Sequence, residues 1–159
     1  MQRTLILNTV QSQQKIERIA AEIQEKLFGT DELFFLGIGE KGEALAKHII
    51  KVLPKHIKVE SAKCDKALIP ANGFLPDVNF EGKTVIVLDD VLESGTTLMH
   101  VCSAVMLQNP KQIKTMILVD RMHPRFPINA DFVGLTLSTT LHNHVEVLFE
   151  KKGISAYLN

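Results

Sequence analysis

The sequence predicts an α/β domain built on a mainly parallel, twisted sheet flanked by helices. Two observations carry that expectation. Apolar runs of strand length recur at residues 33–38, 84–89 and 115–120. Between them lie segments with the i, i+3, i+4, i+7 spacing of amphipathic helices, and strands alternating with helices give a parallel sheet.

Taken in order, Ile16, Ile19, Ala20, Ile23 and Leu27 mark one face of a first helix, which Gly29 ends. Residues 33–38 form a strand. Residues 40–53 form a helix that buries Ala44, Leu45, Ile49 and Val52 and stops at Pro54, which has no N–H to continue it. Residues 56–61 alternate as a strand with one wet face. From Lys63 to Gly82 two prolines, two glycines and the absence of a period read as a long loop, of the kind that often forms a functional lid. Residues 84–89 form a strand and residues 95–108 a helix that turns Leu98, Val101, Cys102 and Val105 inward. Strands at 115–120, 131–137 and 145–149 complete the pattern. With 159 residues, no linker and no internal repeat, one domain is expected.

Composition narrows the function classes. Hydrophobic residues make up 45% and charged residues 23%, as in a globular chain. Lys plus Arg equals Asp plus Glu at 18 each, so there is no overall basic footprint and RNA is not expected as a partner. Trp is absent and Tyr occurs once, which leaves few platforms for stacking bases. No apolar run approaches membrane-spanning length, and the N-terminal apolar stretch is too short for a signal segment. Cys64 and Cys102 have neither disulfide-framework nor zinc-ligand spacing, which fits two reduced thiols in the cytoplasm. His142 and His144 have metal-like spacing without a carboxylate partner and read as solvated polar residues.

The chemistry concentrates at residues 85–97. Val85, Ile86, Val87 and Leu88 form a strand covered on both faces, and they deliver Asp89 and Asp90 to the carboxyl edge of the sheet, where open α/β sheets bind ligands. After Val91 and Leu92, Glu93, Ser94, Gly95, Thr96 and Thr97 turn into a helix. Three hydroxyls around a glycine, beside backbone N–H groups without helical partners, form a cradle for phosphate. Two carboxylates next to such a cradle suit a ribose diol, a magnesium ion or a sugar carbon gaining positive charge. Singly, each residue reads as well as a strand end or a helix cap; the whole string does not.

This stretch resembles the 5-phosphoribosyl 1-diphosphate signature of the type I phosphoribosyltransferases. The resemblance extends over residues 11–53 and, more closely, over 80–149. Within 118–134, the Asp120–His123 stretch, Pro127-Ile128 and the Ala130–Gly134 segment resemble the bifunctional pyrimidine-operon attenuator / uracil phosphoribosyltransferase branch. The resemblance implies a phosphoribosyltransferase fold with a small hood from the terminal segments. It also implies transfer of the ribose 5-phosphate group to a nucleobase with release of diphosphate, magnesium as cofactor, and a homodimer or higher homo-oligomer. Small-molecule substrates would be its partners.

By the same carry-over, Asp89 and Asp90 hold the ribose hydroxyls with magnesium, carried by the substrate, close by. Residues Glu93 to Thr97 wrap the 5-phosphate, and Val91 and Leu92 before them belong to the same sugar-diphosphate site. Lys41 and Gly42 belong to the diphosphate loop, and Lys41 assists the leaving group. Glu93 polarises or deprotonates the base. Arg121, Phe132 and Val133 form the nucleobase pocket, although Phe132 alone reads equally as a core aromatic and Arg121 as a surface ion pair.

Three departures keep other readings open. Glu93 stands where the uracil branch has a tyrosine and matches hypoxanthine-type enzymes, whereas Asp120 stands where those carry a lysine; the longer 118–134 segment favours uracil. Glu40 and Lys41 replace a threonine and an arginine before Gly42. The 63–82 lid is short, has no arginine, and offers only Lys63 and Lys66 as cations. The alternatives are therefore a purine phosphoribosyltransferase, or a sensor that binds the sugar diphosphate or a nucleotide without turnover. A flavin- or phosphate-acceptor α/β protein shares the strand-acid layout but leaves the hydroxyl-rich loop unexplained.

Overall fold

The computed structural model describes residues 3–138 and 143–159. In chain order the elements are β1 (Thr4–Leu7), α1 (Thr9–Lys26), β2 (Glu32–Ile38), α2 (Gly39–Val52), β3 (Lys58–Cys64), β4 (Thr84–Leu92), α3 (Thr96–Met106), β5 (Gln112–Asp120), β6 (Phe132–Thr136), β7 (Val145–Glu150) and β8 (Gly153–Leu158). Five strands form an all-parallel sheet in the order β3-β2-β4-β5-β6. The expected α/β class is observed.

Alternation along the central strands explains the two layers around this sheet. Leu33 and Phe35 of β2, with Ile86 and Leu88 of β4, face a core closed by Ile16, Ile19 and Ile23 of α1 and Leu45 and Ile49 of α2. Their neighbours Phe34, Leu36, Val85 and Val87 point the other way, onto Leu98, Val101 and Val105 of α3. Both faces are dry, so the strands read as unbroken apolar runs.

A separate antiparallel sheet, β1-β8-β7, joins strands from the two ends of the chain and forms the expected hood. Val145, Val147, Ile154 and Ala156 dock it onto the α1 and α2 side of the core.

The expected loop at 63–82 is shorter than its sequence suggests. β3 continues through Lys63 to Cys64, and a 3-10 turn, Lys66–Leu68, follows, capped by Asp65 Oδ1 accepting from the Ala67 N–H at 3.0 Å. Further on, Phe74 and Phe80 are buried, with the Phe80 ring edge-on to Phe34 at 5.2 Å between centroids. Two aromatic anchors thus hold down a segment that composition alone renders as an unbroken lid. No helix among the described residues is long and apolar enough to cross a membrane.

Candidate functional site

The connection from β2 through α2 runs to the β3 edge, and that from β4 through α3 runs to the β5 edge. Strands β2 and β4 are neighbours, so a switch point opens between their carboxyl ends, where the first turns of α2 and α3 diverge. Two adjoining clefts lie there. The larger, about 690 Å³, is lined among others by Gly39, Lys41, Cys64, Asp90, Glu93 and His144. The smaller, about 160 Å³, is lined by Asp89 and by residues Glu93 to Thr97. Lys66, Val91 and Glu93 belong to both.

Asp89 and Asp90 lie within β4 itself, only 4% and 5% exposed. The Asp90 N–H donates to Asp89 Oδ1 at 2.9 Å. Each carboxylate has a lysine: Lys66 Nζ is 3.5 Å from Asp89 Oδ2 and Lys41 Nζ is 3.2 Å from Asp90 Oδ2. Burial, followed by the charge of Asp90, pushes the Asp89 carboxyl up to about 7, and Lys66 only partly opposes this. The pair is thus poised to gain from any cation or hydroxyl donor that replaces lost water.

The helix that follows has Gly95, with φ +80, as its N-cap and no side-chain cap bond from it, and its first-turn residues Thr96, Thr97 and Leu98 line the smaller cleft. Ser94 Oγ lies 2.9 Å from Thr96 Oγ1 and accepts from the Thr96 N–H at a long 3.3 Å. A side chain at position 95 would adopt a left-handed conformation and stand 2.7 Å from Ile128 Cγ2. Glycine is therefore required there on two counts.

Glu40, which would repel an anion, lines the larger cleft together with Lys63 and pairs with it. That contact lowers the Glu40 pKa and raises that of Lys63. Val91 is half-buried at the cleft, and Leu92 is buried beneath it. Glu93 forms an ion pair with Arg121. Thr97 is half-buried on the wall of the smaller cleft.

Three expectations need correction. Gly42 does not line either cleft: a Cβ there would stand 2.5 Å from the Leu88 carbonyl oxygen, so this glycine lets the α2 backbone lie against β4. Arg121 is only 1% exposed and reaches the cleft through Glu93, not directly. Phe132 and Val133 lie at the start of β6, level with Met116 and Ile117 in mid-sheet and well below the carboxyl edge. Phe132 is fully buried in the core beneath Lys26 Nζ, 5.0 Å from the ring centre, and the Val133 carbonyl accepts from Arg18 at 2.8 Å.

Gly39, from the segment before Gly42, and Asp65 and Ala67, from the expected lid, also line the larger cleft, whereas the walls contributed by His144 and Val145 are not legible in the sequence. His144 is brought in by the hood, where its N–H and carbonyl pair with Asn159 at 3.1 and 2.8 Å. His142 lies outside the described residues. Among the described residues no group of three His, Cys, Asp or Glu could hold a metal. Two adjacent buried carboxylates are instead a partial, hard-oxygen donor set, which suits magnesium completed by substrate oxygens.

Comparison with known proteins agrees with this architecture. Residues 2–150 match the phosphoribosyl transferase domain family. The chain is 33% identical to the bifunctional protein PyrR of Limosilactobacillus reuteri, over 92% of this chain and 91% of that one. It is also 33% identical to the bifunctional protein PyrR of Staphylococcus saprophyticus, over 95% and 94%. The fold is similar to that of the hypoxanthine phosphoribosyltransferase of Trypanosoma cruzi, with a TM-score of 0.79 at 16% identity over 96% of this chain and 95% of that one. The chain belongs to the type I phosphoribosyltransferase family of pentosyl-transferring enzymes, beside the bifunctional PyrR proteins.

Proposed function

We propose that this enzyme transfers the ribose 5-phosphate group of 5-phosphoribosyl 1-diphosphate to uracil, releasing diphosphate. The observation that carries the reading is the juxtaposition of a buried carboxylate pair with an uncapped, hydroxyl-rich helix start on adjoining clefts. In this reading the smaller cleft takes the 5-phosphate on the N–H groups and hydroxyls of Ser94, Gly95, Thr96 and Thr97. Asp89 and Asp90 accept hydrogen bonds from the ribose hydroxyls and stabilise positive charge developing at C1. Lys41 and Lys66, which neutralise those carboxylates in the free protein, turn to the diphosphate as it leaves. Glu93, at the junction of the clefts, accepts from an N–H of the base. Magnesium would be held by Asp89 and Asp90 with substrate oxygens, and when bound it neutralises charge on the diphosphate.

Uracil is preferred because the 118–134 segment resembles the uracil branch; Glu93 favours a purine. A second reading, binding without turnover, has one specific support. Lys63, one of the two cations of the lid, is occupied by Glu40.

One titration separates these readings. The protein is given magnesium and 5-phosphoribosyl 1-diphosphate, then uracil or hypoxanthine, and diphosphate release is followed. Release with uracil supports the first assignment, and release with hypoxanthine alone replaces uracil by a purine. Tight binding without release under either base would make the chain a sensor.

A further inference from the structure

We propose that Arg121 is a positioning residue that acts on the reaction through Glu93, fixing that carboxylate as a rigid acceptor for the base. The proposal deepens the transferase reading and rests on it.

Glu93 is the group with access: its side chain is 53% exposed and it lines both clefts. Arg121, its ion-pair partner, is 1% exposed and lines neither. A guanidinium this deeply buried is costly unless charge-paired, which makes the pairing with Glu93 persistent where an exposed pair would exchange with water. Free, a glutamate at a loop tip would sample several rotamers; paired, it is held in one.

The backbone around Arg121 is organised to the same end. The Arg121 N–H donates to the Leu92 carbonyl at 3.0 Å, immediately before Glu93. The Arg125 N–H donates to the Ser94 carbonyl at 2.8 Å, immediately after it. Ile128 and Pro124 close over Gly95. Met122 adopts a left-handed φ of 59°, costly for a side chain of this kind, with its N–H held by Asp120 Oδ1 at 2.8 Å. Loop 120–128 and the phosphate loop 93–97 are therefore clamped as one unit by two backbone hydrogen bonds and the Arg121–Glu93 ion pair.

A carboxylate held in one rotamer by arginine presents its remaining lone pairs to the cleft in a fixed direction. Its contribution is to accept the base N–H as that group gains positive character during attack on C1, an interaction stronger in the transition state than in the bound substrates. Loss of Arg121 should therefore lower kcat and leave KM for 5-phosphoribosyl 1-diphosphate nearly unchanged.

A double-mutant cycle tests this by diphosphate release, with thermal melting as the folding control. Glu93→Gln and Arg121→Met are each expected to lower kcat on the order of 100-fold. The double variant should fall no further than the worse single one, because Arg121 has nothing left to act through. Arg121→Lys, which keeps the charge without the planar fork, should recover part of the loss, and it carries the cycle if Arg121→Met does not fold. Losses that multiply in the double variant would show that Arg121 acts independently of Glu93 and overturn the proposal while leaving the transferase reading intact. No diphosphate release from the unaltered chain with any base would instead overturn the transferase reading and this proposal with it.

Discussion

Helices α1 and α3 begin in opposite ways. At the start of α1, Asn8 accepts from the Gln11 N–H at 2.8 Å while the Gln11 side chain accepts from the Asn8 N–H at 3.0 Å. This reciprocal box satisfies two of the donors that every helix leaves over. At the start of α3 there is a glycine, no capping side chain, and hydroxyls that bond mostly to one another. The first helix completes itself; the third is left open at the cleft. Helix α2, whose first turn carries Lys41 into the adjoining larger cleft, also lacks a side-chain cap. The difference separates a site that spends its hydrogen-bonding capacity on stability from two that hold it for a ligand.

The largest test of this division is Asp90→Asn. Removing one carboxylate beside the open helix should lower turnover by about 100-fold or more, with melting temperature little changed. A large loss of stability with activity retained would reverse the assignment of the two ends. Gly95→Ala comes next. The methyl group meets Ile128 and the left-handed φ is strained, so loss of about 1–3 kcal/mol of stability and a roughly tenfold rise in KM for 5-phosphoribosyl 1-diphosphate are expected.

Asp89→Asn should separate binding from stability. The folded protein holds a proton on Asp89 up to about 7, whereas the unfolded chain releases it in the ordinary carboxylate range. Stability therefore falls as pH rises between those limits and stays low above them. The asparagine variant should lose this slope and be more stable at pH 8, by about 1–2 kcal/mol in urea melts, while binding the sugar diphosphate poorly. A variant no more stable than the parent would mean that Lys66 already compensates the buried charge. The smallest effect belongs to the closed end: Asn8→Ala should cost about 1 kcal/mol and leave kcat unchanged.

How much of this could be read in the sequence depended on the range of the interactions involved. Strands β2, β4 and β5 and the three helices were legible because burial on both faces or on one stripe imposes a local period. The acid pair and the loop after it were legible because strand end, turn and helix start are contiguous. The ion pair of Arg121 was foreseen in kind but placed at the surface, since its burial comes from loop 120–128 folding over Gly95. Phe132 was misplaced because a motif gives residue order, not height along a strand; pairing with Met116 sets that height. β8 was missed, and β1 was foreseen only as an implied terminal hood, because their mutual pairing joins distant parts of the chain. His144 entered the cleft by the same route.

That long-range pairing has a kinetic consequence. The central sheet can condense from strand-helix-strand units close in sequence, but the hood needs Thr4 opposite Leu158. Closing so large a loop is entropically slow, so the hood should dock after the central sheet has formed. His144 and Val145 arrive with it. During refolding, near-native secondary structure should thus appear before ligand binding, and a species with the acid pair in place but one cleft wall missing should be the last to disappear.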